Sequence, residues 1–289
     1  MPQRSLAAPP ARPPHDGPVT ALQLADRILA EAMKDGGAML AADRIVAGDP
    51  TTAVTGIATV AMASIDALRA AVAKRCNLIV SYDPIFWSDD DRFDHLEGNR
   101  LFAIKRDFIR AHGLVVLDLH DRWQGGIDIG MARLLGWERY RQSAGHPFYE
   151  LPHTTLLALA TAIRTTLDDR TLRVVGDPAL PVARVAASWG NARQLPTITL
   201  LNGAADVVLC CYSHEWEAVE YAQDMIATGA KKGMLRLGEA KSVDGGMRYC
   251  ATWLRTIVHE VPVEHLLALE PNCCLPWHGA TGQTREQPT

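Results

Sequence analysis

Four stretches of this chain set ionisable or aromatic side chains directly after a short apolar run. The run 77–81 leads into Tyr82, Asp83, Pro84, Ile85, Phe86 and Trp87, and the run 114–119 leads into His120, Asp121, Arg122, Trp123 and Gln124. Further on, 207–210 leads into Cys211, Tyr212, Ser213, His214, Glu215 and Trp216, and 234–237 leads into Gly238, Glu239, Ala240, Lys241 and Ser242. Imidazoles and carboxylates pass protons when a substrate lies within hydrogen-bond reach. In open α/β sheets that substrate sits beyond the carboxyl ends of strands. His120 is the leading proton carrier, with Asp83 or Glu239 as a second group and Tyr82 placed to hydrogen-bond a carbonyl or phenolate. Trp87, Trp123 and Trp216 are of the type that walls a planar or apolar substrate. His214, Glu215 and Lys241 complete the polar set.

Each exit also has a plainer reading. Asp83 before Pro84 is a common turn pair. His120 and Asp121 suit a local hydrogen-bonded turn. Glu215 and Glu217 stand in the first turn of a predicted helix, where the helix dipole favours acids. Recurrence after four apolar runs, more than any one residue, argues for a shared cleft.

The elements that must position these residues follow from period and punctuation. Apolar residues at helical spacing predict helices over 19–33, 64–72, 96–112 and 129–135, the last two closed by Gly113 and Gly136. Further helices are predicted over 153–167, 215–228 and 246–258. Short apolar runs predict strands at 54–60, 77–81, 114–119, 172–175, 182–187, 207–210, 234–237 and 261–266. This alternation argues for α/β layers. Two spans also match at a constant offset: the stretch around Gly48-Asp49-Pro50 is echoed at Gly176-Asp177-Pro178, and 54–58 is echoed at 182–186. Duplicated α/β units are the natural explanation, with both Gly-Asp-Pro segments read as structural turns.

The expected organisation is a tail at 1–18, a first lobe at 19–150, a second lobe at 151–270 and a tail at 271–289. Trp137, Tyr140, Phe148 and Tyr149 mark a packed linker near 136–152. A hydrophobic content of 48% supplies a core, while a formal charge of −4 gives no electrostatic case for nucleic acid or an anionic membrane. No apolar run approaches bilayer length. Six cysteines without a C-x-x-C pair, and a tail without the apolar stretch of an export signal, point to reduced thiols in the cytoplasm. No Gly-x-Gly-x-x-Gly or phosphate loop supports a nucleotide cofactor.

Read in order, the exits resemble the Nif-three-like family, also called dinuclear metal centre hexameric proteins or GTP cyclohydrolase I type 2 homologues. The segments carrying the resemblance are Val54 to Thr59, Asn77 to Trp87, Val174 to Pro178, Ala205 to Leu209, His214 to Tyr221 and Gly245 to Leu254. It implies two related α/β lobes facing a shared cleft, and a homo-oligomer, commonly a toroidal hexamer with its sites inside. It also implies two metal ions, held in the family by His-His-Pro or His-Glu-Pro after the third strand and by Gly-His-x-x-Ser-Glu near the end. This chain has Tyr82-Asp83-Pro84 and Gly238-Glu239-Ala240-Lys241-Ser242-Val243 there, and Gln124 where a further ligand usually stands. A phenol, an amide and an alkyl chain are poor ligands for first-row divalent metals. The expectation is no metal pair, with Lys241 bridged to Asp83 or Glu239 in place of a cation. A single divalent metal on Asp83, His120 and Glu239 is the alternative. Two functional readings follow: metal-independent acid–base chemistry on a small organic substrate, or a non-catalytic oligomeric scaffold. A third is the family's usual metal-dependent hydrolase.

Overall fold

The computed structural model describes residues 17–34, 44–87, 93–142, 148–190, 194–211, 213–268 and 272. Most of the predicted tails at 1–18 and 271–289, and Tyr212, lie outside them. In chain order the first half carries α1 (Ala21–Lys34), β1 (Ile45–Ala47), β2 (Ile57–Met62), α2 (Ile65–Ala73), β3 (Leu78–Asp83), α3 (Arg100–Ala111), β4 (Val115–Asp118) and α4 (Gln124–Leu134). The second carries β5 (Phe148–Thr155), α5 (Leu156–Leu167), β6 (Arg173–Val175), β7 (Pro181–Ser188), α6 (Gln194–Asn202), β8 (Val207–Cys210), α7 (Glu220–Ala227), β9 (Gly233–Arg236), α8 (Glu239–Ile257) and β10 (Val263–His265). The described residues fall into two compact units. One takes the chain up to Trp123 together with Ala251–Leu266, and the other takes Gln124–Cys250 with the residues from Leu267 onward.

The first unit holds a five-stranded sheet in the order β1-β4-β3-β2-β10. The four strands from β4 to β10 run parallel, and β1 joins β4 antiparallel. Strands β3 and β4 are buried almost throughout, as parallel strands covered on both faces must be. The predicted N-cap of α2 is present: Ser64 accepts from the Ala67 amide at 3.2 Å. Helix α3 starts later than its apolar pattern, because Asn99 caps the amides of Leu101 and Phe102.

The second unit holds a sheet in the order β5-β7-β8-β9-β6, with β7, β8 and β9 parallel and both edges antiparallel. Its order from β6 to β7 repeats that from β1 to β2. The offset of 128 residues seen in the sequence carries Ile45–Ala47 onto Arg173–Val175. The turns that follow match as well. Gly48 and Gly176 both have positive φ, at 92° and 118°. A side chain at Gly48 would meet the Leu114 carbonyl and one at Gly176 the Lys232 carbonyl, so these glycines let the edge strand fold down onto its neighbour. Asp49 accepts from the Thr51 amide and Asp177 from the Ala179 amide, each at 2.8 Å, which makes both Gly-Asp-Pro segments the structural turns expected.

Three elements escape the sequence patterns: β1, β5 and α6. Strand β1 spans three residues at a sheet edge. Strand β5 begins near the end of what reads as a linker, and Pro152 and a register shift between Glu150 and Thr154 break its alternation. Helix α6 carries Pro196 in its first turn and little amphipathic contrast. The predicted helix over 246–258 begins earlier, at Glu239. Gly245 and Gly246 serve close packing. A side chain at Gly246 would lie 2.4 Å from the Ile127 Cα of α4, and one at Gly130 of α4 would lie 2.3 Å from the Gly245 carbonyl.

Candidate functional site

In the first unit, β3 and β4 end side by side and bring Tyr82, Asp83, His120 and Asp121 to one edge of the sheet. The parallel register puts Ser81 opposite Asp118, and the Leu119 amide continues the ladder to the Ser81 carbonyl. Asp118, a buried acid, closes β4 by accepting from the His120 amide at 3.0 Å. This Asx-type turn aims His120 away from the strand. Its Nδ1 lies 3.0 Å from the Asp121 carboxylate, and its ring packs on Tyr82 with centroids 4.6 Å apart. An aspartate on Nδ1 favours the tautomer that leaves Nε2 as the proton-exchanging nitrogen. Tyr82 itself is buried. The turn reading of His120 and Asp121 and the acid–base reading are thus compatible, because the turn supplies the orientation.

The tryptophans separate. Trp87 is 53% exposed and stands at φ 60°, an uncommon backbone for a bulky residue. Trp123 is 4% exposed and packs its ring on Trp253 at 4.7 Å, so its place is within the core of the first unit. Beside Trp87 lies a group the sequence reading missed. Lys105 of α3 is 3% exposed, donates to the Ile85 carbonyl, and sets its ammonium 5.6 Å from the Phe86 ring centroid and 5.3 Å from that of Trp87. Burial pushes its pKa down to about 8. A lysine inside an amphipathic helix reads as a solvated position, so only the fold reveals it.

In the second unit, β8 leads to His214, Glu215 and Trp216. Trp216 is 67% exposed and stacks on His214 with rings 13° apart. His214 also reaches Glu217 at 3.2 Å. Glu215 pairs with Arg173 at 3.4 Å and stands 4.0 Å from Arg236. These acids open a wide turn at Glu215–Val219, where Glu217 departs from helical backbone. The predicted continuous helix from 215 therefore becomes this turn followed by α7.

Strand β9 leads to Glu239 and Lys241, which lie in the first turn of α8 and not in a loop. Lys241 is buried, and no ion pair joins it to Glu239 among the described residues. Ser242 is held by the Gly190 amide and the Glu239 carbonyl, and Val243 is fully buried as packing. A metal pair of the kind the resemblance implies needs several His, Asp or Glu side chains on one point. Among the described residues no three His, Cys, Asp or Glu side chains gather so. No helix is long and apolar enough to cross a membrane among the described residues.

Comparison with known proteins gives this arrangement its relatives. No curated protein sequence matches the chain. A Bacillus cereus protein related to NIF3 shares the fold at TM-score 0.73 and 12% identity, covering 90% of this chain and 100% of its own. Staphylococcus aureus hypothetical protein SA1388 does so at TM-score 0.70 and 14% identity, with the same coverage. Reduced HcgD from Methanocaldococcus jannaschii is similar at TM-score 0.61 and 12% identity, covering 86% of this chain and 98% of its own. The family model of Duf34/NIF3 (NGG1p interacting factor 3) matches residues 23–229, most of the length over which the two repeated sheets are built, and the chain belongs to that family.

Proposed function

We propose that this family member performs metal-independent acid–base chemistry on a small organic substrate, with His120 as the proton carrier. The observation that carries this reading is the mounting of the imidazole. Asp118 holds its backbone amide, Asp121 takes Nδ1, and Tyr82 packs against the ring. A ring so oriented presents Nε2 without rearrangement, which is what general acid–base catalysis asks of a histidine. Asp83 serves as the second proton-transfer group and Tyr82 as a ring-positioning group. Trp87 offers an exposed face for a planar substrate, and Trp216 with His214 offers another. Glu239 and Lys241 are part of the same proposal, as are a homo-oligomeric state and a cytoplasmic setting. The donor set supports chemistry without a metal pair, because a buried alkyl chain at Val243 stands where the family pattern has Glu, and Glu239 stands where it has His.

The non-catalytic scaffold is the second reading, and the burial of Val243 and Trp123 as packing favours it. One experiment separates the two. Wild-type protein and His120→Ala are each incubated with a cell metabolite extract in excess chelator and followed by mass spectrometry. Acid–base chemistry predicts a compound consumed by the wild type and spared by the variant. Identical profiles support the scaffold, and consumption only after a divalent metal is added supports the metal-dependent hydrolase.

A further inference from the structure

We propose that Lys105 captures a small aromatic aldehyde as a reversible imine, in a site walled by Phe86 and Trp87. The inference goes beyond the His120 reading and stands without it, because every group it uses lies on α3 or in the segment 84–87 that follows β3, within the first unit. Three observations carry it. The amine is held in a defined place: it donates to the Ile85 carbonyl and lies 5.6 Å from the Phe86 ring centroid and 5.3 Å from that of Trp87. No carboxylate answers its charge, since Lys105 has no ion pair among the described residues and burial is the cause of its lowered pKa. Trp87, whose ring packs on the amine, is itself 53% exposed, so on that side the amine lies one ring's thickness from solvent.

Desolvation in an apolar pocket is one of the ways a lysine becomes a nucleophile near neutral pH. At about pH 7.4 an amine of pKa about 8 is roughly one-fifth free base, against roughly one-thousandth for an ordinary lysine. The Ile85 carbonyl accepts one N–H and leaves the nitrogen lone pair for attack. That pair adds to the aldehyde carbon, the C=O π electrons move onto oxygen, and the carbinolamine loses water as C=N forms. Both hydrogens of the amine leave in that water, and nothing is oxidised or reduced. The imine is neutral, so capture removes a buried charge that is costly to hold. The walls set the class of ligand. Phe86 stands edge-on to Phe93 and Phe102, with centroids 5.0 and 4.8 Å apart, which fixes its ring. A flat aromatic ring packs on such walls, whereas a charged or hydroxyl-rich aldehyde would lose its water with no hydrogen bonds in exchange.

The test is reductive trapping on the full chain. Wild-type protein is incubated near neutral pH with benzaldehyde and sodium cyanoborohydride, and the labelled lysines are mapped by peptide mass spectrometry over time. The expected result is labelling of Lys105 about tenfold or more faster than that of Lys74, whose side chain is 49% exposed. Acetaldehyde in a parallel run should label Lys105 several-fold more slowly, relative to Lys74, than benzaldehyde does. In Trp87→Ala, a change at an exposed side chain, that preference for the aromatic aldehyde should fall several-fold. Labelling of Lys105 no faster than that of Lys74, or only once urea has unfolded the chain, overturns the inference. An unchanged preference in Trp87→Ala overturns the choice of ligand class.

Discussion

Lys105 shows how much of a residue's chemistry is set by its neighbours. Its amine has a carbonyl and two aromatic faces about it, with burial pulling its pKa to about 8 from an ordinary 10.5. Below pH 8 folded and unfolded chains both carry the proton, and the folded state bears the cost of the buried charge. Between about 8 and 10.5 the unfolded chain still binds the proton and the folded chain does not, so stability climbs with pH. Lys105→Met should therefore be more stable than wild type at pH 7, by on the order of 2 kcal/mol after the lost hydrogen bond is counted. Urea unfolding from pH 7 to 10.5 should show that gap closing; a constant gap would mean the amine titrates normally. At His120, substitution by alanine should lower turnover about 100-fold or more, the usual weight of a positioned acid–base group. Asp121→Asn should lower it less, since it alters the tautomer and leaves the ring in place. The place of His120 just after a strand was legible in the sequence because an imidazole follows an apolar run. Asp118 was not, since an acid at the end of a strand pattern looks like a solvated turn until its burial and its bond to the His120 amide are known.

At the scale of elements, the patterns that could be read were those with a one-dimensional cause. Ser64 caps α2 and the core strands β3, β4 and β8 stand where apolar runs predicted them. The elements that could not be read owe their existence to pairing or packing partners distant in the chain. Strand β5 exists because β7 offers it an edge, and the first turns of α8 exist because Gly246 meets α4 backbone to backbone. The helix start places Glu239 and Lys241 in the first turn of α8, ahead of where the pattern began. Gly246→Ala should cost about 1–3 kcal/mol through overpacking against Ile127, although alanine is the better helix former. A thermal melt checks it; an unchanged or higher Tm would show that α4 and α8 have room to separate.

For the molecule as a whole, the duplication was the most legible feature, because a gap-free offset survives wherever both copies keep the same turns. It reappears as two sheets of matching strand order, each with a glycine of positive φ after its antiparallel edge strand. Family membership over residues 23–229 fixes the scaffold, and a shared scaffold does not by itself fix the chemistry. The proposed homo-oligomer predicts, by light scattering, a mass several times that of the 31.5 kDa chain, with a hexamer as the specific expectation. A single-chain mass would remove the oligomer from the account and leave the proton chemistry standing. The central claim, that proton transfer here proceeds without a metal pair, is met most directly by elemental mass spectrometry of protein purified without chelator. The account predicts divalent metal far below one ion per chain; a reproducible pair of ions per chain would contradict it.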